Sequence, residues 1–507
     1  MPKRSRTTIY NSFTFVLTLA NYVLGHHLSE GWVIRAEGAG RRSFDIPITT
    51  IGASKLGPDH QGEIGAAAAI AGISGGVDIL STIPINVGGK IFSLNLDTGS
   101  SDMWIASDIC HENACANSNV ARYSKSQSSL TTDLYIDMKY GDSHSGTYAS
   151  GTIGFDMVAL HDGLNLARQP LGLIDDTTNL LVQYNASGII GLGFPAGSDI
   201  QETMELNKQS GMINDTGGFI LSTPSNGPFV PRLAMHGLLQ EPMFAISLDR
   251  DTTQIGGHGT LSLGKIPDGV DDGSLTWIPV RLYSAEDGGM PPPSFAPNQL
   301  YPFRWEIELD GVFLDGERLS DSAILPRGVK QRKASALIDT GNSLLRGPED
   351  VVAEILHKVS PTHSHDGSST PVPCNVPRTL AFEIGGKMFP VDPHDFVSQH
   401  DLTDANNCHL DNIVPADTPS HGSLFQWNLG TPFFRSNYVV FHYGNLTHPS
   451  VDPPRIGFKS KVPTNAGEIL INAVEEAKRR SHLDGTVSQD SCGREHSLTK
   501  SLYRCLA

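Results

Sequence analysis

The tripeptide Asp-Thr-Gly occurs twice in this chain, as Asp97-Thr98-Gly99 within Phe92–Ser101 and as Asp339-Thr340-Gly341 within Ala336–Ser343. Each copy ends an apolar run, so a repeated acid on a repeated strand suggests two carboxylates brought face to face. A tripeptide of common residues means little alone. The second copy comes with a second repeat: Ile189-Ile190-Gly191 lies downstream of the first, and Asn428-Leu429-Gly430, a weaker match, lies at nearly the same interval downstream of the second. The same signals in the same order in two halves of a chain are the mark of a duplicated lobe. Two adjacent carboxylates cannot both ionise easily, so such a pair shares one proton and titrates in two separated steps that belong to the pair. One member can then take a proton from water while the other gives one to a carbonyl oxygen and a leaving nitrogen, which is the chemistry of metal-free peptide hydrolysis.

The elements that must position these acids are short alternating runs: Ile83–Val87, Ile91–Leu96, Leu134–Met138 and Thr260–Leu263, broken by Gly-Gly and Asp-Gly turn signals. That is an all-β pattern with few helical windows. The clearest is Asp350–Lys358, with apolar residues at helical spacing behind Pro348 and acidic residues in its first turn. At 507 residues and 39% apolar content the chain can fill two cores. Its formal charge of −17 repels phosphate backbones and anionic membranes, which argues against nucleic-acid binding.

Further matches accompany the triplets: Trp104; Tyr140-Gly141-Asp142; Glu241-Pro242-Met243-Phe244; Trp277-Ile278-Pro279-Val280; Phe433–Tyr438; and Arg455-Ile456-Gly457-Phe458. Together, from about Leu80 to Phe458, they make the chain resemble the pepsin-like aspartic peptidases, with a flavour of the fungal secreted and vacuolar members. The resemblance implies a bilobal all-β fold with two duplicated lobes, a central cleft and few short helices. It implies Asp97 and Asp339 as the catalytic pair, with no cofactor and no metal. Gly99 and Gly341 let backbone amides approach the carboxylates. Thr98 and Thr340 cross-link the two loops, and Ser100 hydrogen-bonds the outer oxygen of Asp97. Asn342 stands by Asp339 where that family has Thr or Ser, and its amide is expected to donate to the carboxylate. Tyr140 lies near the tip of a flap hairpin that closes over substrate, hydrogen-bonded to Trp104; Gly141 forms its turn, and Asp142 is a candidate acceptor for a substrate lysine. Plain alternatives stand beside these: a turn at Tyr140–Asp142, a core aromatic at Trp104, and a turn role for Asn342.

The resemblance and a pass along the chain together divide it into a signal peptide at 1–25, a prosegment at 26–76, an N-terminal catalytic lobe at 77–245, a C-terminal catalytic lobe at 246–463 and a tail at 464–507. Lys3, Arg4 and Arg6 before the apolar run Phe13–Leu24 read as a secretory signal, with an uncleaved anchor as the alternative. The basic residues Arg35, Arg41 and Arg42 suit a prosegment that covers the carboxylates, and Arg41-Arg42 is either a processing site or solvated charge. The six cysteines fall into close pairs, Cys110-Cys115, Cys374-Cys408 and Cys492-Cys505; the first two sit where the resembled family has disulfides, and the third pairs as the remaining short loop. Disulfides and the sequons at Asn185, Asn214 and Asn445 point to the secretory pathway and an extracellular or vacuolar destination. His357, His363 and His365 read as a solvated loop rather than a metal site. The tail run Ile469–Arg480 suits a short amphipathic helix. The expected function is an acid endopeptidase: a monomer acting on polypeptides, inhibited by pepstatin-type compounds, with no membrane span after signal removal. A non-catalytic binding or inhibitor protein on the same fold is the competing expectation.

Overall fold

The computed structural model describes residues 41–490 except 53–78, 128–129, 144–145, 162–163, 209–215, 251–257, 361–370 and 400–405. The expected signal peptide, Asn214, His363, His365 and the Cys492-Cys505 pair lie outside these residues. All four alternating runs are strands, within Ile79–Val87, Lys90–Asp97, Leu130–Tyr140 and His258–Leu263. Their apolar faces turn inward: Phe92, Leu94 and Leu96 are buried on the strand that ends in Asp97, whereas Ile91 on its other face is 65% exposed. The turn signals do what their composition suggests. Gly88-Gly89, Asp315-Gly316 and Gly385-Gly386 each close a two-residue hairpin with both residues at positive φ, the conformation whose twist matches that of the flanking strands.

The two halves repeat one topology around their Asp-Thr-Gly loops. The strand Lys90–Asp97 pairs in parallel with Gly188–Gly191, placing Asp97 opposite Gly191, and Met103–Ala106 returns antiparallel on the far side of Gly188–Gly191. In the second half Ser335–Ile338 pairs in parallel with Trp427–Leu429, and Leu345–Gly347 returns antiparallel to it. The outer partners also correspond, since Met103–Ala106 pairs in parallel with Leu164–Thr177 and Leu345–Gly347 with Ile413–Pro415. The fold is the expected all-β, bilobal one. Among the described residues, a sheet of thirteen strands contains strands from both halves.

The strand Phe44–Gly52 is a seam in that sheet. It pairs with His258–Leu263 on one edge and Ile79–Val87 on the other, and buries Ile46 and Ile48. It falls within the stretch read as a prosegment, where no strand was singled out.

Helices are few but exceed the one clear window. Glu349–Val359 covers the expected Asp350–Lys358 and buries Val351, Val352 and Ile355. Asp199–Lys208, Thr216–Asn226 and Phe229–Met235 were not expected, and Thr216–Asn226 holds two Gly and Pro224, which hide it from propensity. The tail forms the helix Ala466–Asp490, which seats Leu470, Val474 and Ala477 in the main core at one-face spacing. Of the three expected disulfides, the two that lie within the described residues are present, Cys110–Cys115 and Cys374–Cys408.

An aromatic cluster ties the halves together. Phe194 packs against Trp305 and Tyr443, which also contact Phe244. The indole of Trp305 and the hydroxyl of Tyr443 both donate to the carbonyl of Leu192, at 2.9 and 2.7 Å, while the Leu192 amide donates to the carbonyl of Asp97 at 2.8 Å. Replacing the fully buried Trp305 with Ala should therefore cost about 3–5 kcal/mol, a cavity plus a lost hydrogen bond. Chemical denaturation should show this as a lowered midpoint, with Tyr443→Phe losing far less because Leu192 keeps its indole donor.

Candidate active site

The Asp-Thr-Gly loops meet at the floor of a cleft of about 900 Å³, lined from both halves. Their threonines interlock. The amide of Thr98 donates to Thr340 Oγ1 at 3.1 Å and the amide of Thr340 to Thr98 Oγ1 at 2.9 Å; each hydroxyl in turn donates across, Thr98 to the carbonyl of Ile338 at 2.7 Å and Thr340 to that of Leu96 at 2.9 Å. Both side chains are buried, so all four groups depend on this arrangement for their partners.

That cross-link sets the two carboxyls against each other. A Cβ on Gly99 would lie 2.6 Å from Asp339 Oδ1, and one on Gly341 would strike the Asp97 carboxylate, so each glycine is demanded by the acid of the opposite half. The amides of Gly99 and Gly341 donate to Asp97 Oδ1 at 2.8 Å and Asp339 Oδ1 at 2.9 Å. Ser100 Oγ donates to the outer oxygen of Asp97 at 2.5 Å. Burial first, and the neighbouring Asp339 second, push Asp97 up to about 7, against the lowering effect of Ser100 and Gly99.

Asn342 is placed differently from expectation. Its side-chain amide does not donate to the Asp339 carboxylate; it donates to the carbonyl of Leu344 at 2.8 Å and to Asn428 Oδ1 at 2.9 Å. The donor to the outer oxygen of Asp339 is Asn428 Nδ2, at 2.7 Å. Asn342 is held back because its own oxygen accepts from the Leu344 amide, closing the turn. Sequence reasoning missed Asn428, although the signal was there: an Asn at the position of Ile189, in the repeat that matched less well.

Tyr140, Gly141 and Asp142 sit on the flap hairpin, Leu130–Tyr140 with Thr147–His161, and all three line the cleft; Gly141 turns at φ +79°. Tyr140 packs against the cluster that holds Trp104, yet its hydroxyl donates to Met138 Sδ at 3.6 Å, and the Trp104 indole N–H has no hydrogen-bond partner among the described residues. The expected Tyr140–Trp104 bond falls short of full hydrogen-bond geometry, yet the Trp104 indole still acts on the Tyr140 hydroxyl as a donor that lowers its pKa. Burial, then the charges of Asp97 and Asp102, hold the Tyr140 phenol well above its ordinary value. Asp142 pairs with Arg346 across the cleft, which occupies the carboxylate that the sequence offered to a substrate lysine. Beside it Ser143 donates to Asp417 through its amide at 2.9 Å and its hydroxyl at 2.5 Å. Arg346 and Asp417 carry no motif, and only the folded chain brings them to the flap.

Behind the first loop lies a further acid, Asp102, buried and bonded by Ser198 Oγ and the Ile200 amide. Burial, then the charge of Asp199, push it up to about 7. Of the sequon asparagines, Asn185 is exposed, while Asn445 is half-buried with its side-chain oxygen accepting from the Thr447 and His448 amides.

The sequence model of the family described as eukaryotic aspartyl protease matches residues 80–448. Pepsin A of Sus scrofa is 26% identical over 373 residues, covering 73% of this chain and 79% of that protein. Chymosin of Ovis aries is 26% identical over 360 residues, covering 70% and 75%, and gastricsin of Rattus norvegicus gives the same figures.

The two raised carboxyls make a prediction about stability. Asp97 and Asp102 stay protonated in the folded protein up to about 7, whereas in the unfolded chain they ionise near the ordinary 3.8. Between these values the unfolded state binds fewer protons, so their contribution is fully present below 3.8 and is lost as pH rises through 7. Urea midpoints measured across that window should fall toward neutrality, and fall less in Asp97→Asn and Asp102→Asn. An identical fall in all three proteins would rule the two groups out as its source.

Proposed function

Because the chain belongs to the eukaryotic aspartyl protease family, we propose that it is an acid-acting endopeptidase in which Asp97 and Asp339 activate a water between them. The observation that carries this reading is the reciprocal Thr98–Thr340 cross-link, which holds two buried carboxyls face to face with one amide donor each. The pair keeps one proton. Its ionised member takes a proton from water as the oxygen attacks the peptide carbonyl; its protonated member gives one to the carbonyl oxygen. Breakdown of the tetrahedral species then breaks the C–N bond and delivers a proton to the leaving nitrogen. An extended peptide lies in the cleft under Tyr140 and the flap, which exclude water from the reacting bond.

Secretion and maturation belong to the same reading. The Cys110–Cys115 and Cys374–Cys408 disulfides support an oxidising compartment, and the exposed Asn185 supports glycosylation there. The assigned limits of prosegment, lobes and tail are retained as part of the proposal, with Phe44–Gly52 as the prosegment's ordered strand. No helix among the described residues is long and apolar enough to cross a membrane.

Denatured haemoglobin provides the test. The protein should hydrolyse it in acid, lose activity as pH rises through the dyad's raised upper step toward neutrality, and be blocked by pepstatin. Asp97→Asn and Asp339→Asn should each lower kcat by at least about three orders of magnitude, as removal of a member of a concerted catalytic unit does. A folded parent that cleaves nothing from acid to neutral pH, or an Asn variant that keeps more than a few per cent of the rate, would reject the reading in favour of a binding protein.

A further inference from the structure

A continuous polar chain runs from the flap tip to the second catalytic carboxyl. Arg346, on the strand Leu345–Gly347, pairs through Nη1 with Asp142 of the flap. Its Nε–H donates to Asn342 Oδ1 at 3.3 Å; Asn342 Nδ2 donates to Asn428 Oδ1 at 2.9 Å; and Asn428 Nδ2 donates to Asp339 Oδ2 at 2.7 Å. The direction of the chain is forced. Leu344 donates its amide to Asn342 Oδ1 at 3.1 Å and accepts from Asn342 Nδ2 at 2.8 Å, so the Asn342 amide cannot turn over without losing both. Asn428 must then meet it with its oxygen, which leaves its N–H to face the carboxylate.

The internal duplication shows what this replaces. In the first half the outer oxygen of Asp97 is held by the hydroxyl three residues further on, Ser100, and the paired parallel strand contributes apolar Ile189 opposite Asn95. In the second half the residue three further on is Asn342, and Asn428 stands opposite Leu337 at the register position of Ile189. The donor has moved from the loop to the adjoining strand, and both departures are asparagines that bond each other. We propose that Asn428 sets the lower titration step of the dyad, that Asn342 and Arg346 are the residues that position it, and that the Asp142–Arg346 pair ties this setting to flap closure.

The sign follows from the donors. An N–H bonded to ionised Asp339 stabilises the charged form and holds the lower step down; its removal raises that step. Asp97 faces Asp339 directly, and the other charged groups of the cleft, Asp102, Asp137, Lys139, Asp199, Glu202, Arg304 and Asp417, are common to the parent and every variant. Arg346 adds a positive charge at the far end, and Asp142 offsets it.

The inference rests on the peptidase reading for its kinetic arm alone. In profiles of kcat/KM against pH, Asn428→Ile should move the acid limb up by about one to two pH units, the equivalent of a hydrogen bond to a charged group. Asn342→Ala should move it up by less and Arg346→Met by least, because Leu344 still orients the amide. Asp142→Asn, which leaves the guanidinium without its offset, should move it down. The double variant Asn428→Ile with Asn342→Ser rebuilds the first half's arrangement and should return the limb toward the parent. A second readout does not need turnover: the 13C carboxyl resonances of the dyad, assigned by their loss in Asp97→Asn and Asp339→Asn, should titrate with the same order and signs. An unmoved lower step in Asn428→Ile, or equal shifts of one sign in Arg346→Met and Asp142→Asn, would overturn the relay. A parent inactive at every pH would reject the peptidase reading, and the carboxyl titration would still decide for or against the relay.

Discussion

Four hydrogen bonds made by Thr98 and Thr340, two to each other and two to the carbonyls of Ile338 and Leu96, are the constraint on which the rest of this structure depends. Each threonine satisfies the other's backbone amide and donates to a carbonyl on the other's strand, and both are buried beyond the reach of water as a substitute partner. The loops therefore meet in one register or leave several buried polar groups unpaired. The two acids inherit that register, since each precedes its threonine by one residue. The glycines follow from it too, because a side chain at Gly99 or Gly341 would collide with the opposite carboxylate.

Holding two carboxyls together in a buried place costs energy unless a proton stays on the pair. The structure accepts that cost and surrounds it with support. The Leu192 amide holds the Asp97 carbonyl, and Trp305 and Tyr443 from the second half hold the Leu192 carbonyl. The dyad floor is thereby braced by an aromatic cluster drawn from both halves, and buried Asp102 beside it shares its preference for protonation. The fold and the proposed chemistry thus favour the same acidic range, for the same reason of desolvation.

Duplication explains the symmetry of the site, and its breaks show where the halves have taken separate roles. Among the described residues, the long flap hairpin belongs to the first half, and the second supplies Arg346 and Asp417, which hold the flap down. Only the second half exchanges a hydroxyl donor for an asparagine pair. These differences meet in one place, because Arg346 touches both the flap acid and Asn342.

How much was legible beforehand follows the range of the interactions. Repeated Asp-Thr-Gly, period-two strands, Gly-Gly and Asp-Gly turns and the helix after Pro348 are local patterns, and each is where the sequence put it, because backbone sterics and one-sided burial act over a few residues. The near-miss repeat Asn428-Leu429-Gly430 was legible as a repeat but not as a donor. Its role depends on a neighbouring strand 89 residues from Asp339 in sequence, and on which end of Asn342 the turn at Leu344 leaves free. The Asp142–Arg346 pair spans 204 residues and the seam strand Phe44–Gly52 joins elements that no local pattern relates. By itself the sequence determined the two acids, their duplicated settings and the strands that carry them, since these follow from residue type and short spacing. Only the tertiary structure decided which side chain serves which carboxyl, what Asp142 faces and what braces the floor, because hydrogen-bond partners are chosen by proximity and direction in space, which spacing along a chain does not contain.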